Sequence, residues 1–208
     1  MKIEINKHSS IKLIGEKVIY FDPFELDNEP HDADIVFFTH SHYDHLSPKD
    51  ASKCAKADTV FVAPVSCEKD IAANGFENAV YFTAGEEKVI NGVAVRAVPA
   101  HNKIKPFHPK MNGWLGYVVT LDGETVYVAG DTDALKENEN IVCDTALVPV
   151  GGMFTMSAKE ASEFINAMAV KPKKAIPTHY GSVVGKADDG EKFASLVEAP
   201  VKTELLIK

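Results

Sequence analysis

An apolar run, Ile35-Val36-Phe37-Phe38, leads directly into Thr39-His40-Ser41-His42-Tyr43-Asp44-His45, so three imidazoles and a carboxylate crowd six consecutive positions at the end of a predicted strand. Few architectures can hold such a cluster, because packing polar rings together without partners is costly. Metal ligation resolves the conflict, since imidazole nitrogen and carboxylate oxygen suit zinc, and also iron or manganese. In an extended segment, residues two apart point the same way, so His40 and His42 can grip one ion. Asp44 and His45, in the turn beyond, can face a neighbouring one.

The same placement recurs along the chain. His101 closes the apolar run Val93–Ala100, Asp131 closes Val126–Gly130, and His179 closes Ala175–Thr178. Each candidate stands just past the C-terminal end of a predicted strand, where loops converge on a site. The potential ligands are therefore His40, His42, Asp44, His45, His101, Asp131 and His179. One tetrahedral ion needs about four ligands. Seven suit two divalent ions, provided that one carboxylate bridges them; zinc is the expected metal, with manganese or iron as alternatives.

Short β-rich runs dominate the first two thirds: Ile11–Ile14, Val18–Phe21, Ile35–Phe38, Val60–Ala63, Ala79–Phe82, Val93–Val98, Gly116–Leu121 and Thr125–Ala129. Asn91-Gly92 and Asp122-Gly123 mark tight hairpins between some of them. A helix is predicted from the Ser47 cap with Pro48 at its first position, a second over Cys67–Ala73, and a third behind the Ser157/Glu160 capping box to about Ala169. A strand at Ala175–Pro177, a helix near Glu191–Val197 and a strand near Lys202–Ile207 complete the pattern. It describes a sheet-rich α/β or α+β chain, and without linker or repeat a single domain over 1–208.

Composition narrows the function. A formal net charge of −8 argues against nonspecific attraction to nucleic acid or an anionic membrane. No apolar run reaches the length of a membrane span, and the N-terminus has no signal-peptide core, so a cytoplasmic location is expected. Cys54, Cys67 and Cys143 are odd in number and widely spaced, which reads as small reduced hydrophobes. His8 and His31 read as satisfied polar residues and Asp133 as turn chemistry. Asp22 is either structural or orients a ligand histidine. No feature specifies an oligomeric state.

These motifs resemble the metallo-β-lactamase superfamily, whose ligands run His-x-His-x-Asp-His, then His, Asp and His. The segments Asp22-Pro23-Phe24, Gly130-Asp131-Thr132, Pro149 to Met156 and His179-Tyr180-Gly181 resemble more narrowly its small hydrolases related to ascorbate-6-phosphate lactonase and to the phospholipase D-type members. The resemblance implies a four-layer αββα sandwich with the metals at one edge. It also implies that His40, His42 and His101 hold the first ion and Asp44, His45 and His179 the second, with Asp131 between. The exported lactamases' cysteine at the position of Asp131, the extra domains of glyoxalase II and RNA-cleaving types, and the glutamate of the diiron flavoproteins have no counterpart here.

The expected activity is hydrolysis by a hydroxide bridging two metal ions, with Asp44 holding the water and shuttling its proton. The segment Asn102–Trp114 carries Lys103, Lys105, His108 and Lys110 and no acid. It is either a solvated loop or one that draws in a small anionic ester, lactone or phosphodiester. His108 is the substitute ligand should His101 stand apart, and Trp114 either walls the pocket or fills the core. Two other readings are an iron-binding redox enzyme of the same fold and a non-catalytic metal-dependent binding protein.

Overall fold

The computed structural model describes residues 1–207. Two sheets form. The first runs β1 (Lys2–Ile5), β2 (Ile11–Ile14), β3 (Val18–Phe21), β4 (Ala33–Phe37), β5 (Ala55–Pro64) and β6 (Ala79–Phe82) in spatial order. The second contains β7 (Glu87–Ile90), β8 (Val93–Pro99), β9 (Leu115–Leu121), β10 (Glu124–Val128), β11 (Thr145–Pro149), β12 (Lys174–Thr178) and β13 (Lys202–Thr203), again neighbour to neighbour. Among the described residues four α-helices accompany them: α1 (Pro48–Cys54), α2 (Glu68–Ala73), α3 (Ala158–Ala167) and α4 (Asp189–Leu196).

Alternation along the strands builds the layers, because successive side chains point to opposite faces. In β4 and β5, Ile35, Phe37, Val60 and Val62 enter the core between the sheets, while Val36, Phe61 and Ala63 face outward. That outer face is covered by Ala51 and Cys54 of α1 and Ile71 of α2. In β9 and β10, Tyr117, Val119, Val126 and Val128 meet the first sheet, whereas Val118 and Tyr127 join the core that takes in Phe164 and Ile165 of α3 and Phe193 of α4. Helix, sheet, sheet, helix is the resulting order, the αββα sandwich that the motifs implied.

Strand direction decides where the loops go. From β3 to β6 all pairings are parallel, as they are from β10 to β13. β8 and β10 are each antiparallel to β9, so they share one sense. The C-terminal ends of β8, β10 and β12 therefore lie along one edge. The two hairpins close on positive-φ pairs, Asn91-Gly92 and Asp122-Gly123, as two-residue turns require.

The α1 cap ties this layer to the loop after β3. Asp50 accepts from the amides of Glu25 and Leu26 at 3.0 Å each, from the Ser47 hydroxyl at 2.8 Å and from Lys53 at 3.0 Å. Burial would raise its pKa, but the hydrogen bonds from Lys53, Ser47 and the two amides outweigh burial and hold it below the ordinary carboxylate range. The unfolded chain thus binds this proton more tightly, so the stabilisation is complete above the unfolded pKa of about 3.9 and is lost as pH falls through the folded value. Asp50→Ala is expected to cost about 2 kcal/mol at pH 7, from the loss of hydrogen bonds to a charged acceptor. Urea denaturation should show that difference shrinking below about pH 4.

The three cysteines are unpaired and buried, and burial pushes each thiol up to about 12, in keeping with an inert packing role. Among the described residues no helix is long and apolar enough to cross a membrane.

Candidate metal centre

The loops at the strand ends bring most of the expected residues together. Three overlapping groups have ligand atoms that all lie within 4.8 Å of one another: His40, His42 and His108; His8, Asp44, His45 and His179; and His40, His45 and Asp131. Asp131, three residues past the end of β10 and just after the Gly130 turn, stands between the first two groups. Its Oδ2 is 3.1 Å from His108 Nε2 and 2.9 Å from His179 Nε2, while its Oδ1 is 3.4 Å from His45 Nε2.

Each loop has a local reason for its shape. Gly130 turns the chain with a φ of 64°, and a Cβ there would lie 3.0 Å from both the Leu115 carbonyl and Thr39 Cβ, so β10 can deliver Asp131 against the His40 loop only through glycine. Gly151 leaves room for the His179 carbonyl, which a Cβ would approach to 2.2 Å. Asp22, beyond β3, accepts from the Thr39 amide at 2.8 Å, the Thr39 hydroxyl at 2.7 Å and His45 Nδ1 at 2.7 Å. Of its two readings, the one that orients a histidine matches this placement.

The hydrogen bonds select tautomers. The Thr39 hydroxyl donates to Asp22, so it accepts from His40 Nδ1 at 2.9 Å. His45 Nδ1 donates to Asp22, and His108 Nδ1 faces only acceptors, the Phe154 carbonyl and Asn102 Oδ1, at 3.2 Å each. In all three rings the Nε2 lone pair is left turned into the site, which is how ligating histidines are held by their outer partners. Nε2 of His45, His101, His108 and His179, Nδ1 of His179 and Oδ1 of Asp131 are buried without a hydrogen-bond partner, and of these only His101 Nε2 belongs to none of the three groups. Buried polar atoms are normally satisfied. A convergent set of nitrogen and oxygen atoms lacking partners fits a divalent metal, and no cysteine is among them.

Electrostatics agree. His40 is held well below the ordinary histidine range, by burial first and then by His45, so it is neutral and able to ligate at pH 7. Burial would lower His45 too, but the charges of Asp131 and Asp22 outweigh it and hold its pKa well above the usual value. The positive charge those carboxylates favour is one that a cation can also supply. For Asp44, burial acts upward, yet the hydrogen bond from His8 and the charge of His45 bring it to about 2, so it is ionised.

His101 stands in none of the three groups. Its Nδ1 donates to the Asn102 carbonyl at 3.0 Å, and its backbone pairs with Thr132 and Asp133. His108, only 1% exposed, occupies the place beside His40 and His42. Of the four candidate substrate contacts it is the one that enters the site. Lys105 is engaged by Asp133 at 2.8 Å and the Thr155 carbonyl at 2.6 Å, and with Lys103 it lines a separate cavity of about 470 Å³ beside Glu139, Glu160 and Glu163. Lys110 is exposed on a 3₁₀ turn. Asp133 clamps the loop through Asn102, Lys103 and Lys105, which extends the turn role expected of it. Trp114 is half-buried, its rings 4.8 Å from those of both His40 and His42, and walls the site. His8 is the residue that sequence reasoning set aside: it is satisfied, as expected, but by Asp44 and Ser182. His31 lies at the surface against the Ala55 carbonyl.

Residues 10–180 match the model of the β-lactamase superfamily domain. The chain belongs to the metallo-β-lactamase superfamily. Within it, the chain is 34% identical over 214 residues to the UPF0173 metal-dependent hydrolase of Thermococcus onnurineus, covering 95% of this chain and 92% of the relative. It is 31% identical to the corresponding protein of Pyrococcus abyssi, over 99% and 96% of the two chains. The crystal structure of a Parabacteroides distasonis protein assigned to the metal-dependent hydrolases superposes with a TM-score of 0.83 at 27% identity, covering 99% of this chain and 93% of that one. This superfamily member is therefore a metal-dependent hydrolase by kinship, with a His/Asp cluster able to bind metal.

Proposed function

We propose that the chain is a dinuclear hydrolase in which His40, His42 and His108 hold one divalent ion, Asp44, His45 and His179 hold the second, and Asp131 bridges them. The observation that carries this reading is the position of Asp131, whose two oxygens face histidines of both groups while those nitrogens lack any other partner. The all-nitrogen-and-oxygen donor set favours zinc, with manganese or iron as the alternatives. When bound, two such ions supply a hydroxide nucleophile near neutral pH and polarise the carbonyl or phosphoryl oxygen under attack.

The chain's own residues do the rest. Asp44, ionised and the less enclosed of the two ligand carboxylates, accepts a hydrogen bond from the attacking water and takes up its proton in passing. Asp22 keeps His45 in one tautomer throughout, and Trp114 shields the His40 side from bulk water. Two divalent ions would offset the three buried carboxylates Asp22, Asp44 and Asp131 together with one bound hydroxide, so the loaded site would not repel an anion, while the charge of Lys105 is already used by Asp133. We accordingly favour a small anionic ester, lactone or phosphodiester as substrate.

Elemental analysis of the purified protein beside a screen of lactones, thioesters and phosphodiesters tests this reading. Two equivalents of zinc or manganese with turnover on an anionic member of the panel is the expected result. A single equivalent at saturation would overturn the two-metal assignment, and iron without hydrolysis would replace it by redox chemistry.

A further inference from the structure

His8 is fully buried in the loop between β1 and β2, on no motif segment, yet it touches two of the residues assigned above to the second ion. Its Nε2 is 3.2 Å from Asp44 Oδ2, and its Nδ1 is 3.4 Å from the Ser182 hydroxyl. A carboxylate only accepts, so Nε2 carries the proton toward Asp44 and Nδ1 accepts from Ser182. The backbone contributes as well: the His8 carbonyl accepts from the His179 amide at 3.1 Å, and the two rings lie 3.9 Å apart. Both residues adopt left-handed backbone, φ 57° at His8 and 59° at His179, a conformation that a non-glycine residue keeps only when its surroundings enforce it. Those surroundings are present. Asn6 donates to the carbonyls of Phe24 and Glu25, and the Ser10 hydroxyl accepts from the Phe24 amide, so the β1–β2 loop is pinned on both sides of His8.

A contrast within the cluster fixes the kind of role. Nε2 of His45 and of His179 lacks a hydrogen-bond partner, as a ligand atom would, whereas both nitrogens of His8 are engaged. We propose that His8 is a positioning residue for the second ion: its imidazole fixes Asp44 through Oδ2, the oxygen that also faces His45 and His179, and its carbonyl sets the His179 backbone. This rests on the two-metal reading and adds to it a residue outside the ligand pattern.

Zinc titration of metal-free protein against a chromophoric chelator tests the idea, with wild type, His8→Asn and His8→Gln compared. Asparagine tolerates the left-handed backbone and keeps the carbonyl but is too short to reach Asp44; glutamine can place an amide N–H near the Nε2 position. His8→Asn should bind the first zinc as wild type does and the second about 10–100-fold more weakly, the usual cost of losing an outer partner of a ligand. His8→Gln should restore the second affinity, although its amide is a poor zinc ligand. Equal binding of both ions by His8→Asn would overturn the proposal. So would a His8→Gln protein that loses the second ion as fully as His8→Asn, since His8 would then be a ligand itself. Should His8→Asn fail to fold, as melting of the metal-free form would reveal, the His8→Gln titration decides alone. A wild-type protein that takes up only one zinc would instead sink the two-metal reading, and this inference with it.

Discussion

Asp131→Ala is expected to abolish turnover and to leave purified protein with at most one ion in place of two. Asp131 is 4% exposed and meets His45, His108 and His179 within 3.4 Å, so its removal strips a shared carboxylate from both groups at once. Loss of an outer partner of a ligand costs about 10–100-fold in metal affinity or activity, and loss of a bridging ligand should exceed that. Burial pushes the Asp131 pKa upward, yet the neighbouring His179, His45 and His108 outweigh it and hold the carboxyl well below its ordinary range. The variant therefore also removes the main counter-charge from a cluster of buried imidazoles, and its metal-free form should show a raised sensitivity to acid. Metal content by elemental analysis and initial rates on the best substrate of the panel are the measurements. Full metal content with unimpaired turnover would contradict the bridging role.

The second large effect separates His108 from His101. His108→Ala should cost the first ion and lower turnover by more than about 100-fold, the upper range for outer partners, whereas His101→Ala should leave zinc stoichiometry unchanged and lower turnover far less. The grounds are geometric. His108 Nδ1 is fixed by the Phe154 carbonyl and Asn102, which turns its Nε2 toward Asp131, while the His101 ring is tied to the Asn102 carbonyl and joins no ligand group. A His101→Ala protein that loses an ion, beside a His108→Ala protein that keeps both, would restore the assignment implied by the sequence motifs.

These two histidines show where residue order stops being informative. Both lie in the loop after β8, seven positions apart. His101 has the strand-end placement shared by Asp131 and His179. The loop doubles back, however, because Asp133 gathers the Asn102 side chain, the Lys103 amide and the Lys105 ammonium, and the chain returns to the site only at His108. A contact between residues more than thirty positions apart redirects the loop, and no local spacing encodes it. Asp133 also holds the Lys105 ammonium at 2.8 Å, so that lysine is engaged in an ion pair within its own loop.

Strands were legible in proportion to their patterning. Ile11–Ile14, Val18–Phe21 and Ala79–Phe82 form with the boundaries expected. The Ser47 and Ser157 caps start their helices as read, the second with its full capping box. β11 was not expected, for Thr145–Pro149 is buried at every position between two parallel neighbours and so lacks the alternation that marks a half-exposed strand. β13 shrinks to two residues at the sheet edge, where only β12 supports it.

What the residues alone specified is the chemistry: a metal-binding set headed by His40, His42, Asp44 and His45, on a layered α/β frame, because ligand type and strand periodicity are local properties written every second or third position. What required the folded chain is membership. Whether His101 or His108 joins the cluster, that Asp22 orients His45, and that His8 reaches Asp44 across 36 positions all depend on which loops meet at the sheet edges. Such meetings are set by packing and strand direction over the whole molecule, and a short motif carries no record of them.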